Sequence, residues 1–159
     1  MKLNAIQSLY NKACHQDEKG NVFINGKKPT AIESKDIDKE VLRLTLIQDK
    51  SEKVKSISKE YQTLLDAGVT YNGTLFQSDA KSVQTLSETL TAIANGWALP
   101  VGFAWIDAAN TPHPASVAFL KGLSAALADH KTALFTRLQV AKQAIKTATS
   151  KAAIDAVIL

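Results

Sequence analysis

Gly68-Val69-Thr70-Tyr71-Asn72-Gly73-Thr74-Leu75-Phe76-Gln77-Ser78-Asp79 decides the fold. Val69-Thr70-Tyr71 and Thr74-Leu75-Phe76 are β-prone triplets separated by Asn72-Gly73. Asn-Gly accepts the positive φ angles of a type I′ turn, so the stretch predicts a tight hairpin. Ser78 or Asp79 then caps a helix that carries Val83, Leu86, Leu90 and Ile93, and Asn95-Gly96 closes it. A second hairpin is predicted from Gly102–Ile106, the polar link Asp107-Ala108-Ala109-Asn110, and Thr111-Pro112-His113-Pro114. From about Ser116 a long helix carries Phe119, Leu120, Leu123, Leu127, Leu134, Phe135, Leu138 and Ile145, with alanines that raise its propensity. Gly122 inside that helix costs ~1 kcal/mol and points to another element crossing there. A capped turn from Ser150 to about Ile158 ends in Val157-Ile158-Leu159, a tail expected to fray unless a groove holds it.

Upstream, Leu3, Ile6, Leu9, Tyr10 and Ala13 fall at helical spacing, predicting a short amphipathic helix. Val22-Phe23-Ile24, Asn25-Gly26 and Lys27–Ile32 read as another small hairpin, with Pro29 making the second arm an edge strand. Ser34 is placed to cap a helix from about Lys35, and neither Pro nor Gly interrupts the chain again until Gly68. That allows roughly thirty residues of helix, about 45–50 Å long, either continuous or broken at the polar run Asp49–Lys53. Its apolar stripe is Ile37, Val41, Leu44, Ile47, Val54, Ile57, Tyr61 and Leu64. A small domain cannot cover a stripe of that length, so these eight residues are the candidate interface for self-association or a partner.

These elements predict a mostly helical α+β fold. Small β-hairpins pack with a short helix and a long C-terminal helix, and a long amphipathic helix precedes them. The expected organisation is an attachment or oligomerisation region over residues 1–67 and a hairpin–helix–hairpin–helix domain over 68–159.

With 159 residues, 45% of them hydrophobic, the chain can build a real core, and aromatics at 6% make that core mainly aliphatic. No apolar run reaches the ~20 residues needed to span a bilayer, and Met1-Lys2-Leu3-Asn4 does not open a signal peptide. Cytoplasmic synthesis is the default expectation. The net charge of +4 is spread along the sequence. Nucleic-acid binders concentrate such charge beside stacking aromatics, so the lysines read as solvated helix faces.

No catalytic or cofactor motif emerges. Cys14 is the single cysteine, which excludes an internal disulfide, and the adjacent Cys14-His15 pair lacks zinc-ligand spacing. Asp129 and His130 are neighbours on a helix and point in different directions. His113, between two prolines, reads as a turn or edge decoration. Trp97, Phe103 and Trp105 are expected in the core and not in a ligand pocket. Gly-x-Ser-x-Gly elbows and glycine-rich phosphate loops are missing from the sequence. The expectation is a non-enzyme without metal or cofactor.

The run Gly68–Asp79, followed by Phe103, Trp105, Asp107, Asn110, His113-Pro114 and then Leu120, Leu123 and Leu127, resembles an uncharacterised domain of tailed-bacteriophage tail and tail-fibre proteins. The resemblance spans roughly residues 52 to 156 and departs at Ala108-Ala109, where a tighter Asp-Asn turn is common. It implies a structural protein of the virion, associated with baseplate or tail fibre. Its location would be the phage tail, after synthesis in the host cytoplasm. The implied partners are other tail, baseplate or fibre proteins, with a homo-oligomer, a trimer by fibre symmetry, and no membrane or nucleic acid. The alternative is a tail-fibre assembly chaperone that is absent from the finished particle.

Overall fold

A computed structural model describes residues 1–10 and 14–159. In chain order the elements are α1 (Lys2–Tyr10), β1 (Cys14–Gln16), β2 (Val22–Ile24), α2 (Ala31–Asp66), β3 (Val69–Tyr71) and β4 (Thr74–Phe76). They continue with α3 (Ala80–Ala94), β5 (Ala104–Ile106), β6 (Pro112–Pro114), α4 (Val117–Thr147) and α5 (Lys151–Asp155). The described strands form three separate antiparallel pairs, β1–β2, β3–β4 and β5–β6. The fold is therefore mostly helical α+β, with small hairpins and a long C-terminal helix. Helix α1 ends at Tyr10, and Ala13, the last residue of its predicted stripe, lies outside the described residues.

The described chain divides into two compact units, Met1–Lys55 with Ala144–Val157, and Ser56–Gln143 with Ile158–Leu159. The division runs through α2 and α4.

In the first unit, Ala5, Ile6, Ile24 and Ile37 form the core, with Val22, Val41 and Leu44 packed against it. The hairpin here differs from the sequence expectation. Val22–Ile24 pairs with Cys14–Gln16, and only a single bridge, Ile24 to Lys27, spans Asn25-Gly26. His15 stacks on Phe23 across the pair at 4.8 Å. The Asp17 carboxylate closes the loop by accepting from the amides of Lys19 and Asn21. The expected second arm does not form as a strand: only Lys27 bridges back to Ile24, and Ala31 and Ile32 already belong to α2. Thr30 and Glu33 make a reciprocal capping box, with Thr30 N donating to Glu33 Oε2 at 2.8 Å and Glu33 N donating to Thr30 Oγ1 at 3.2 Å. Helix α2 thus starts ahead of Ser34 and then runs unbroken through Asp49–Lys53 for 36 residues. In that polar stretch Lys50 Nζ donates to the Lys146 carbonyl at the end of α4, and Lys151 pairs with Asp49.

Glu40 is a buried acid in this unit. Its carboxylate accepts from Arg43 Nε at 2.7 Å, Arg43 Nη2 at 2.6 Å and Ser8 Oγ at 2.8 Å. The Arg43 guanidinium first, then the Ser8 hydroxyl, hold its pKa down at about 2 against the opposing effect of burial. A carboxyl whose folded pKa lies below its unfolded value, ~4.3 for Glu, contributes stability above that value and loses it as pH falls toward the folded one. Urea unfolding at stepped pH should show the stability gap between wild type and Glu40→Gln shrinking from about pH 5 to about pH 2. A gap independent of pH would contradict this account.

The core of the second unit is Val69, Phe76, Leu86, Ala115, Leu120, Leu123 and Leu127, with Tyr71, Leu90, Ile93, Leu99, Phe103, Trp105 and Phe119 packed around it. The first hairpin has the register its turn dictates, Val69 opposite Phe76 and Tyr71 opposite Thr74. Asn72 and Gly73 take φ of 49° and 78°. Gly68, at φ 99°, is where a Cβ would sit 2.9 Å from the Phe76 carbonyl oxygen, so the chain can leave α2 here only as glycine. Asp79 caps α3, its Oδ1 accepting from Lys81 N and Ser82 N.

One aromatic expectation is corrected. Trp97 is 45% exposed: its amide donates to the Ala92 carbonyl to close α3, and Leu99 fills the place next to the core. Phe135 is half exposed, because Leu134 and Leu138 occupy the buried side of α4. The tail is partly tied down as well, since Leu159 is buried and its carbonyl accepts from Arg137 Nη2.

Candidate interaction surface

The most polar buried point of the second unit is the turn of the second hairpin. Trp105 faces His113 across the β5–β6 pair, with Ile106 opposite Pro112 and Ala104 opposite Pro114. Proline has no N–H, so His113 is the amide donor of β6. Asp107 is buried and organises the connection. Its Oδ1 accepts from Ala109 N and Thr111 N, both at 2.8 Å, and its Oδ2 lies 2.7 Å from His113 Nε2. Its backbone carbonyl accepts from Gln77 Nε2 at 2.7 Å, and Ala108 N donates to the Leu75 carbonyl at 2.9 Å. One residue thereby fixes its own loop and ties it to the first hairpin.

The Thr111 amide first, then His113 and the Ala109 amide, push the Asp107 pKa below the usual carboxylate range. The imidazole edge also packs against the Phe76 ring at 5.6 Å. His113 is therefore no decoration. Its proline neighbours hide this in the sequence. The available signal was Asp107 placed two and four residues before amides it could accept from, the usual geometry of an aspartate-closed turn. Both carboxylate oxygens of Asp107 are occupied by groups of the same hairpin, which is the arrangement of a structural bolt.

His130 has a comparable role. Its Nε2 lies 3.1 Å from the Leu64 carbonyl near the end of α2. Ser78 joins the same junction, donating to the Leu65 carbonyl and accepting from Gly68 N. Among the described residues, no group of three or more His, Cys, Asp or Glu is placed to hold a metal ion. No described helix is long and apolar enough to cross a membrane.

The eight stripe residues of α2 do not form one bare face. Ile37 is 3% exposed and Ile57 1% exposed, so the chain itself covers both and neither is available to a partner. Ile37 is covered by α1 and β2, elements that a helix-only view of the stripe leaves out. Val41, Leu44, Val54, Tyr61 and Leu64 are half-buried, and Ile47 remains 50% exposed. Of the eight, Ile37 and Ile57 are buried and Ile47 is the most exposed.

Residues 48–158 match the model of a protein family, described as Domain of unknown function (DUF4376). The chain belongs to this family. The DUF4376 match takes in the second half of α2, both hairpins of the second unit, and helices α3, α4 and α5. Comparison with curated proteins gave no match. Comparison with solved structures gave none either.

Proposed function

We propose that this DUF4376 protein is a structural, non-enzymatic component of a tailed-phage virion, associated with the baseplate or a tail fibre. The observation that supports this reading is the order of elements from Val69 to Thr147, hairpin, helix, tryptophan-bearing hairpin and long helix. That is the pattern of the phage tail resemblance, carried by Gly68–Asp79, Phe103, Trp105, Asp107, Asn110, His113-Pro114 and the leucines of α4. The polar groups of the block agree with a structural role, because Asp107, His113, Gln77 and Ser78 bond to the chain's own backbone and side chains.

The partners of this reading are tail, baseplate or fibre proteins. Self-association, as a trimer by fibre symmetry, would use the open part of the α2 face around Ile47. Mass spectrometry of purified particles tests the reading, with the expectation that the chain is present at a fixed ratio to the tail proteins. Its absence from mature particles, together with its presence in infected cells, would transfer the assignment to an assembly chaperone for the tail fibre. Light scattering on the full chain checks the oligomer, and a monodisperse monomer would leave docking to a different protein.

A further inference from the structure

The second unit has an open groove between the C-terminal turn of α2, helix α3 and the middle of α4, with a volume of about 710 Å³. Three observations describe what would fill it. The first is an apolar floor that this unit leaves uncovered. Val83 belongs to the apolar stripe of α3, yet it is 39% exposed where the groove opens, whereas Leu86 beneath it is fully buried. The second is the size of the wall residues. Ser87 of α3 and Ser124 of α4 line the groove and are short enough for a helix backbone to approach closely.

The third observation is charge. Asp66 at the end of α2 and Glu88 on α3 both line the groove. Each is held in place by a glutamine one turn earlier: Gln62 Nε2 donates to both Asp66 oxygens at 3.0 Å, and Gln84 Nε2 donates to Glu88 Oε1 at 2.8 Å. No described cation pairs with either carboxylate. Lys131 on α4 is the opposing charge of the groove, and the lining as a whole is net acidic on a chain of net charge +4. An uncovered apolar floor bounded by helices, with oriented carboxylates on two of them, fits an amphipathic helix whose apolar stripe is flanked by cations.

We propose that this groove is the docking site for an amphipathic α-helix of a partner protein, with lysine or arginine flanking its apolar stripe. The inference concerns the partner class and stands independently of whether the chain stays in the particle or leaves after assembly.

Two synthetic peptides of about 18 residues, near the length at which isolated helices become stable, provide the test. Both carry the same leucine stripe, flanked by lysine in one and by glutamate in the other. The full-length ¹⁵N-labelled chain is titrated with each. The lysine-flanked peptide should bind at least about tenfold tighter, with amide shifts centred on Val83, Ser87 and Ser124. This is opposite to the preference that the net charge of the chain would impose. The double variant Asp66→Lys/Glu88→Lys, changed at exposed positions and checked by circular dichroism, should reverse the order. Equal affinities, an unreversed order, or no shift at these amides up to about 1 mM peptide would overturn the proposal. Concentration-dependent broadening of the same amides without peptide would also overturn it and assign the face to a second copy of the chain.

Discussion

Phe76→Ala is expected to destabilise the protein by about 3–5 kcal/mol, the range for deleting a buried aromatic ring. The side chain is 1% exposed and sits where the two hairpins of the second unit meet α4. Its ring meets Phe119 edge-on at 5.7 Å and His113 at 5.6 Å, so truncation removes two aromatic contacts as well as buried area. The neighbouring residue on the same strand supplies an internal control. Leu75 points to the other side of the hairpin, is 46% exposed and lies over Gly68, so Leu75→Ala should cost under about 1 kcal/mol. Chemical denaturation of the two variants measures the difference. Similar losses at both positions would mean that strand alternation does not set the core in this hairpin.

That control also shows why the second unit was legible in the sequence. Asn72-Gly73 fixes a two-residue turn, the turn fixes the register, and the register puts Val69 and Phe76 on one face without long-range information. Asp79, Asn95-Gly96 and Ser116 act within a few residues of the helix ends they define, so those boundaries were readable too. The first unit depended on competition between local signals. Asn25-Gly26 does turn the chain, but Pro29 and the Thr30–Glu33 capping box commit the following residues to α2, and β2 is left to pair backward with Cys14–Gln16. That partner strand has little β propensity of its own. Its pairing is held by the Asp17 turn and the His15–Phe23 stack, which become visible only once the strands are aligned.

The site was less legible than the fold. Periodicity alone marks the apolar face of α2 and says nothing of which residues cover it. Helix α1 and strand β2 bury Ile37, and that is a tertiary fact. Asp107 and His113 were each visible as residues of a hairpin, but their bond needs the Asp107–Thr111 turn to bring them together. The groove beside Val83 gave no signal, because it exists only where the end of α2, helix α3 and the middle of α4 come together in three dimensions.

Gly122 is the residue whose reading depended most on three dimensions. In the sequence it is an exception within a long alanine- and leucine-rich helix. In the structure a Cβ at this position would meet Tyr71 Oη at 2.0 Å and Tyr71 Cζ at 2.8 Å. The tyrosine ring is held edge-on against Phe119 at 5.3 Å, so it cannot swing away without disturbing the core. Gly122→Ala should therefore destabilise by about 1–3 kcal/mol, as overpacking does. This is despite the ~1 kcal/mol that alanine gains over glycine inside a helix. The sign of the effect belongs to Tyr71 and can be tested through it. In a Tyr71→Ala background the obstruction is gone, and Gly122→Ala should become neutral or stabilising by up to about 1 kcal/mol. Tyr71→Phe should restore only part of this, because the ring carbon at 2.8 Å remains. A double-mutant cycle on urea midpoints reads the coupling directly. If Gly122→Ala is equally destabilising with and without the tyrosine ring, the close approach of β3 to α4 is not what requires glycine at this position.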